Sequence, residues 1–197
     1  MLLAIDSSTE CISVGIKDGD SIITKELFSK REQSEKLPSL IRELVSDFSK
    51  LTGIVVGIGP GSLTGTRIAL SVAKGISQGL KIPLIGVSSL EAQKEYLKSK
   101  SITSFLIIID KNVVWTSLSD IHEYQLLDSE LFKNFSVVID NTGSIDGTFL
   151  KPQGFAEGLL LKINEVSSQY SLSDLSLIKP LLARETKFLT EAERADR

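Results

Sequence analysis

The chain has 197 residues, 42% of them apolar and 24% charged, with a formal net charge of −3 at pH 7. That balance excludes a disordered or low-complexity chain and leaves room for one or two ordinary globular domains, while the negative charge argues against a domain that grips nucleic acid by itself. One cysteine, Cys11, and one histidine, His122, exclude disulfide frameworks, cysteine-rich zinc sites and paired-histidine metal helices within the chain.

Met1–Asp6 carries no basic leader and no long apolar segment, so it reads as a strand rather than an export signal. The longest apolar runs, such as Phe105–Ile109, are far too short to span a membrane. A cytosolic protein is expected.

Three strand-like runs come first, Leu2–Asp6, Cys11–Lys17 and Ser21–Phe28, the last two joined by the hairpin signal Asp18-Gly19-Asp20. The period then changes. Leu37, Leu40, Ile41, Leu44, Val45 and Phe48 recur at helical spacing, which predicts a helix over Gln33–Ser49 with Pro38 near its first turn. Gly53–Gly59 reads as a buried strand, and the turn Gly59-Pro60-Gly61-Ser62 leads into a helix ending near Leu80. Pro83–Val87 is a further strand. Ser88 with Glu91 predicts a capping box for a helix reaching Lys98.

The pattern then restarts, since Leu106–Asp110 echoes Leu2–Asp6 and is followed by strand-like Val113–Ser119 and Glu123–Leu127. A short helical piece over Asp128–Asn134, a strand over Val137–Asp140 and an amphipathic helix over Phe155–Gln169 complete a second series. The domains expected are a first lobe over 1–100, a smaller second lobe over 101–184 and a charged tail over 185–197. Two βββαβα series, each opening on a strand that ends in Asp, are the layout of an α/β fold of the actin-like ATPase (ASKHA, RNase H-like) type.

In that layout Asp6, Ser7 and Ser8 in the first lobe and Asp110 in the second stand where phosphate loops approach a nucleotide. The first loop lacks a glycine for close approach, so these positions read as vestigial. Gly57-Ile-Gly59-Pro-Gly61-Ser62-Leu-Thr-Gly65 satisfies neither the P-loop nor the dinucleotide spacing. It fits either an anion site at a helix start or a tight turn capped by Ser62. Gly65, Ala69, Ala73 and Ser77 fall every fourth residue, with Gly75 and Gly79 adding small positions, a seam suited to a helix interface or to close packing on the chain's own sheet. No catalytic triad, acid/base pair or metal set stands out, so no catalytic residue is named.

Gly59-Pro-Gly-Ser-Leu-Thr-Gly-Thr-Arg-Ile68, with Ala73-Lys-Gly75, Pro83–Leu90, Leu3-Ala-Ile-Asp-Ser-Ser-Thr-Glu10 and Arg31–Pro38, closely resembles the TsaB (YeaZ) family through most of the first 90 residues. The second half matches more thinly, through Ile109-Asp110, the turn at Gly143 and Pro180–Arg184. The resemblance implies a non-catalytic member of the actin-like superfamily that partners a larger paralogue, TsaD. With the small ATPase TsaE, that pair transfers threonylcarbamoyl to adenosine 37 of tRNA. It further implies pairing through the first two long helices, a homodimer when TsaD is absent, only indirect contact with tRNA, and no cofactor of its own, with ATP or ADP and metal on the partner proteins. Leu37, Leu40, Ile41, Leu44, Gly65, Ala69 and Ala73 are the expected partner contacts. The rival reading is a small actin-fold ATPase or kinase using Asp6 and Asp110.

Overall fold

The computed structural model describes residues 1–29, 31–110, 113–116, 124–126, 129–142, 150–166 and 178–181. Lys111, Asn112, His122, Gly143, Asp146, Leu182–Arg184 and the tail over 185–197 therefore lie outside the described residues. Strands β1 (Leu2–Asp6), β2 (Cys11–Asp18) and β3 (Ser21–Phe28) form an antiparallel meander. Asp18 pairs with Ser21 across a two-residue turn in which Gly19 adopts φ +57°, the conformation that the Asp-Gly signal anticipates.

Helix α1 (Gln33–Leu44) is followed by a 3₁₀ turn at Phe48–Lys50, and then by β4 (Gly53–Gly57), α2 (Leu63–Leu80), β5 (Leu84–Val87) and α3 (Ser89–Ser99). α1 stops five residues short of the expected end at Ser49. Val45 turns extended, and the Asp47 side chain accepts from Ser49 N–H to cap a separate turn. Apolar spacing continued across that break because Val45 and Phe48 still face the same core. β4 likewise ends at Gly57, two residues short of the expected Gly59.

β1 and β4 run parallel, and the sheet order is β3-β2-β1-β4-β5. The second half repeats this. β6 (Phe105–Asp110), β7 (Val113–Thr116), β8 (Tyr124–Leu126) and β9 (Val137–Asp140) assemble in the order β8-β7-β6-β9, with β6 antiparallel to β7 and parallel to β9. Leu150 bridges Ile139 in parallel, the place that β5 takes beside β4. A 3₁₀ helix at Ser129–Asn134 stands where α1 stands in the first half.

Strand alternation sorts the layers. Leu3, Ile5, Ile54 and Val56 face α1 and α2, whereas Ala4 and Val55 face the opposite side. That opposite side is covered by helix α4 (Phe155–Val166), whose Ala156, Leu159, Leu160 and Ile163 pack on the first sheet, not the second. α3 lies beside α4 and presents Leu90 and Leu97 to Phe105, Ile107 and Ile139 of the second sheet. A helix from the second half of the chain thus completes the core of the first. α4 is also capped from the first half, where Ser13 Oγ accepts from Ala156 N–H (3.0 Å) and Glu26 accepts from Gly154 N–H (2.7 Å). Among the described residues no helix is long and apolar enough to cross a membrane.

Candidate functional site

β1 delivers Asp6 to the top of the first sheet, where Asp6, Ser7, Ser8 and Thr9 are all buried. Asp6 Oδ1 accepts from both the backbone N–H and the hydroxyl of Ser8, each at 2.7 Å, and Oδ2 accepts from Ser89 Oγ at 2.6 Å. Ser89 Oγ also accepts from Gly59 N–H at 3.0 Å. Burial pushes the Asp6 carboxyl above the usual carboxylate range; hydrogen bonds from Ser89 and Ser8 oppose the rise and nearby Glu26 adds to it. Both carboxylate oxygens are engaged within the chain.

The glycine loop closes over this group. Ser62 N–H donates to Ser8 O (2.6 Å), Ser7 Oγ donates to Gly65 O (2.8 Å), and the Ser62 side chain caps α2 by accepting from Gly65 N–H (3.2 Å). A Cβ at Gly57 would sit 1.6 Å from Asp6 Oδ2, one at Gly61 2.2 Å from Ser8 O, and one at Gly65 1.9 Å from Ser7 O. The glycines at 57, 61 and 65 therefore admit the chain's own β1 loop. Of the two readings of the Gly59–Ser62 loop, the capped turn is the one observed. A strap from the far end of the chain completes the site: Leu181 N–H donates to Ile58 O (2.6 Å), and Lys74 Nζ donates to Ile178 O (2.9 Å). Asp110 ends β6 as Asp6 ends β1, and its side chain lies outside the described residues.

Ser89 is absent from the sequence reading, which assigned the cap to Ser88. Ser88 makes no side-chain capping bond, so the predicted capping box does not form; the hydroxyl that matters is one residue later and reaches Asp6. Only the Ser88-Ser89 pair hinted at it. Asn141 and buried Gln93 form a reciprocal amide pair at 3.0 and 2.8 Å that ties α3 to the end of β9. Burial also pushes the Cys11 thiol up, against any role as a nucleophile.

The helix pair is arranged differently from the expectation. Leu37, Leu40, Ile41, Ala69 and Ala73 are buried in the chain's own core, Gly65 lies against Ser7, and half-buried Leu44 packs on the same cluster. The row that carries the apolar stripe is the row that the sheet needs. The outward face is another set. Arg67, Ser71, Gly75 and Gly79 recur every fourth residue along the exposed side of α2. A Cβ at Gly75 or Gly79 would meet nothing within 4 Å. Between the helices runs an open groove of about 410 Å³ lined by Ser34, Thr64, Arg67, Ile68, Ser71 and Val72.

The family model described as "TsaD: tRNA N6-adenosine threonylcarbamoyltransferase" matches residues 27–148. The tRNA threonylcarbamoyladenosine biosynthesis protein TsaB of Buchnera aphidicola is 35% identical over 106 residues, 51% of this chain and 48% of that protein. A tRNA N6-adenosine threonylcarbamoyltransferase of Neorickettsia sennetsu is 27% identical over 188 residues, 86% of this chain and 57% of its own length. The chain spans about half the length of the curated relatives that it matches. The solved structure of YeaZ from Pseudomonas aeruginosa superposes with a TM-score of 0.67 at 20% identity, over 91% of this chain and 98% of that one, and so shares the actin-like α/β fold. With the family model matching more than half of its length, the chain belongs to the TsaD family of threonylcarbamoyladenosine proteins, and several of the curated proteins that it resembles are TsaB proteins.

Proposed function

We propose that the chain is a non-catalytic subunit in the formation of threonylcarbamoyladenosine on tRNA in the cytoplasm, pairing with a TsaD-type transferase through the outer face of α1 and α2. The observation that carries this reading is the pair of glycines at 75 and 79. Each costs the helix up to about 1 kcal/mol relative to alanine, and nothing in the described chain occupies the space that either leaves. A facing helix that approaches closely over Ser71, Gly75 and Gly79 accounts for them, and the adjoining groove lengthens the contact. Pairing of this kind biases the partner's active-site geometry rather than supplying a chemical step. TsaE joins the assembly, tRNA meets this subunit only indirectly, and a second copy covers the same face when TsaD is absent. Nucleotide and metal then belong to the partner proteins. Against the rival ATPase reading stands Asp6, whose oxygens are engaged by Ser8 and Ser89.

The test is reconstitution: transfer of labelled threonine to tRNA by the host's TsaD, TsaE and adenylate-forming enzyme, with the chain present, absent, or carrying Gly75→Arg. Product should require the chain and be lost with Gly75→Arg, which keeps its fold because the position opens onto solvent. Ala69→Arg, by contrast, should unfold the chain, since Ala69 is fully buried. Product formed equally well without the chain would overturn the assignment.

A further inference from the structure

α3 stands between the two sheets. β5 of the first sheet leads into it, and its Leu90 and Leu97 lie on Phe105, Ile107 and Ile139 of the second. Its other side is fastened to the first sheet through α4. Ala92 packs in one cluster with Ala4, Val55 and Ala156, a Cβ on Gly158 would fall 1.8 Å from Ala92 O, and Lys100 pairs with Glu157 at 2.8 Å.

Ser89 and Gln93, four residues apart, share one face of this helix. Ser89 grips the first sheet's loops: its hydroxyl donates to Asp6 Oδ2 (2.6 Å) and accepts from Gly59 N–H (3.0 Å), while its own N–H donates to Gly59 O (2.8 Å). Gln93, fully buried, grips the second. Its Nε2 donates to Asn141 Oδ1 at 3.0 Å, and its Oε1 accepts from Asn141 Nδ2 at 2.8 Å. Asn141 is in turn fixed to the second sheet, where its N–H donates to Ile108 O (3.1 Å), and the turn that carries it is pinned by Asp140 Oδ1, which accepts from Thr142 N–H (2.8 Å) and its hydroxyl (2.7 Å).

The two kinds of contact on the second sheet differ in what they permit. Apolar contact is non-directional, so leucines on a sheet can shift without losing much. A reciprocal amide pair is satisfied in one register, and a displacement that breaks it strands a buried donor and a buried acceptor. Two-lobed α/β folds commonly hinge about such a connection.

We propose that the Gln93–Asn141 pair is a brace between the two sheets: it sets the register of the second sheet on α3 and holds the sheets at one angle, so that they move as one body. Gln93 and Asn141 are positioning residues, and Ser89 anchors the same helix to Asp6. The brace acts within the chain, with or without a pairing partner.

Spin labels on Lys50→Cys beside the first sheet and Asn134→Cys beside the second report the distance between them by double electron–electron resonance; Cys11 is buried and stays unlabelled. The labelled full chain should give one narrow distance distribution. Gln93→Asn, too short to reach, should broaden or split that distribution and raise the exchange of the Asn141 N–H by roughly tenfold, with exchange in β1 and β4 unchanged. Adding Asn141→Gln restores the combined length of the pair and should return the narrow distribution. Asn141→Ala, at the half-buried partner, should give the same broadening without touching the buried side of α3. A broad distribution in the labelled parent, or a narrow one retained in both Gln93→Asn and Asn141→Ala, would overturn the proposal. An equal rise of exchange in both sheets that the swapped pair does not reverse would make the pair ordinary core packing and overturn it as well.

Discussion

Replacing Asp6 by Asn and by Ala should separate a structural carboxylate from a chemical one. In Asp6→Ala the Ser8 N–H loses the acceptor that it now reaches at 2.7 Å, and being backbone it cannot turn elsewhere; the Ser8 and Ser89 hydroxyls can rotate. One stranded buried N–H costs about 1–3 kcal/mol, and the void and the two weakened hydroxyl bonds bring the total to roughly 2–4 kcal/mol. Asp6→Asn keeps the two bonds from Ser8 on its carbonyl oxygen and can donate from its amide to Ser89 Oγ. It should fall within about 1 kcal/mol of wild type at neutral pH.

The pH dependence has a definite sign. Because the folded carboxyl titrates above its unfolded value, folding takes up a proton between those two values, so wild-type stability from this group falls as pH rises through that window and stays at the lower level above it. Asp6→Asn removes that slope. Urea unfolding followed by circular dichroism across the acid range, for wild type and both variants, reads all of these quantities. Equal destabilisation by Asn and Ala, or an unchanged pH difference, would refute the assignment of Asp6 as an internal catch. So would loss of tRNA modification in a fully folded Asp6→Asn protein, which would return the nucleotide-site reading.

Gly75→Ala and Gly79→Ala should each raise the melting free energy of the isolated chain by up to about 1 kcal/mol, since both sit in open space within a helix; calorimetric unfolding that shows no gain would mean that something already occupies that face. Gly158→Ala should destabilise by roughly 1–3 kcal/mol or more, because its Cβ would fall 1.8 Å from Ala92 O where α3 and α4 cross. Hydrogen exchange in that variant should rise first in α4, and a pattern confined to β7 and β8 would count against the shared core.

The first half was largely readable because its signals are local. Asp18-Gly19-Asp20 dictates its own turn, Ser62 caps the helix that it precedes, and the unbroken apolar runs of β1 and β4 mark strands buried on two sides. Local signals also carried the repeat, since Leu106–Asp110 and Val137–Asp140 reproduce the parallel pairing of Leu2–Asp6 with Gly53–Gly57. What periodicity cannot state is the partner of a face. α4 shows an apolar stripe that fits either sheet, and only its contact with Ala4, Val55 and Gly15, small enough to let a helix come close, assigns it to the first. Ser89 was invisible for a related reason: its partner is Asp6, 83 positions away in sequence.

The same limit applies to the two rows of small residues on α2. α2 carries two rows of small side chains, Gly65-Ala69-Ala73-Ser77 and Ser71-Gly75-Gly79, and spacing alone makes both equally fit for close approach. Burial separates them: Ala69 and Ala73 are small because β4 and α1 lie against them, whereas nothing in the described chain lies against Gly75 or Gly79. A small residue in contact is explained by what it touches. One that touches nothing in the described chain, in a helix where alanine would be more stable, is what the proposed pairing accounts for.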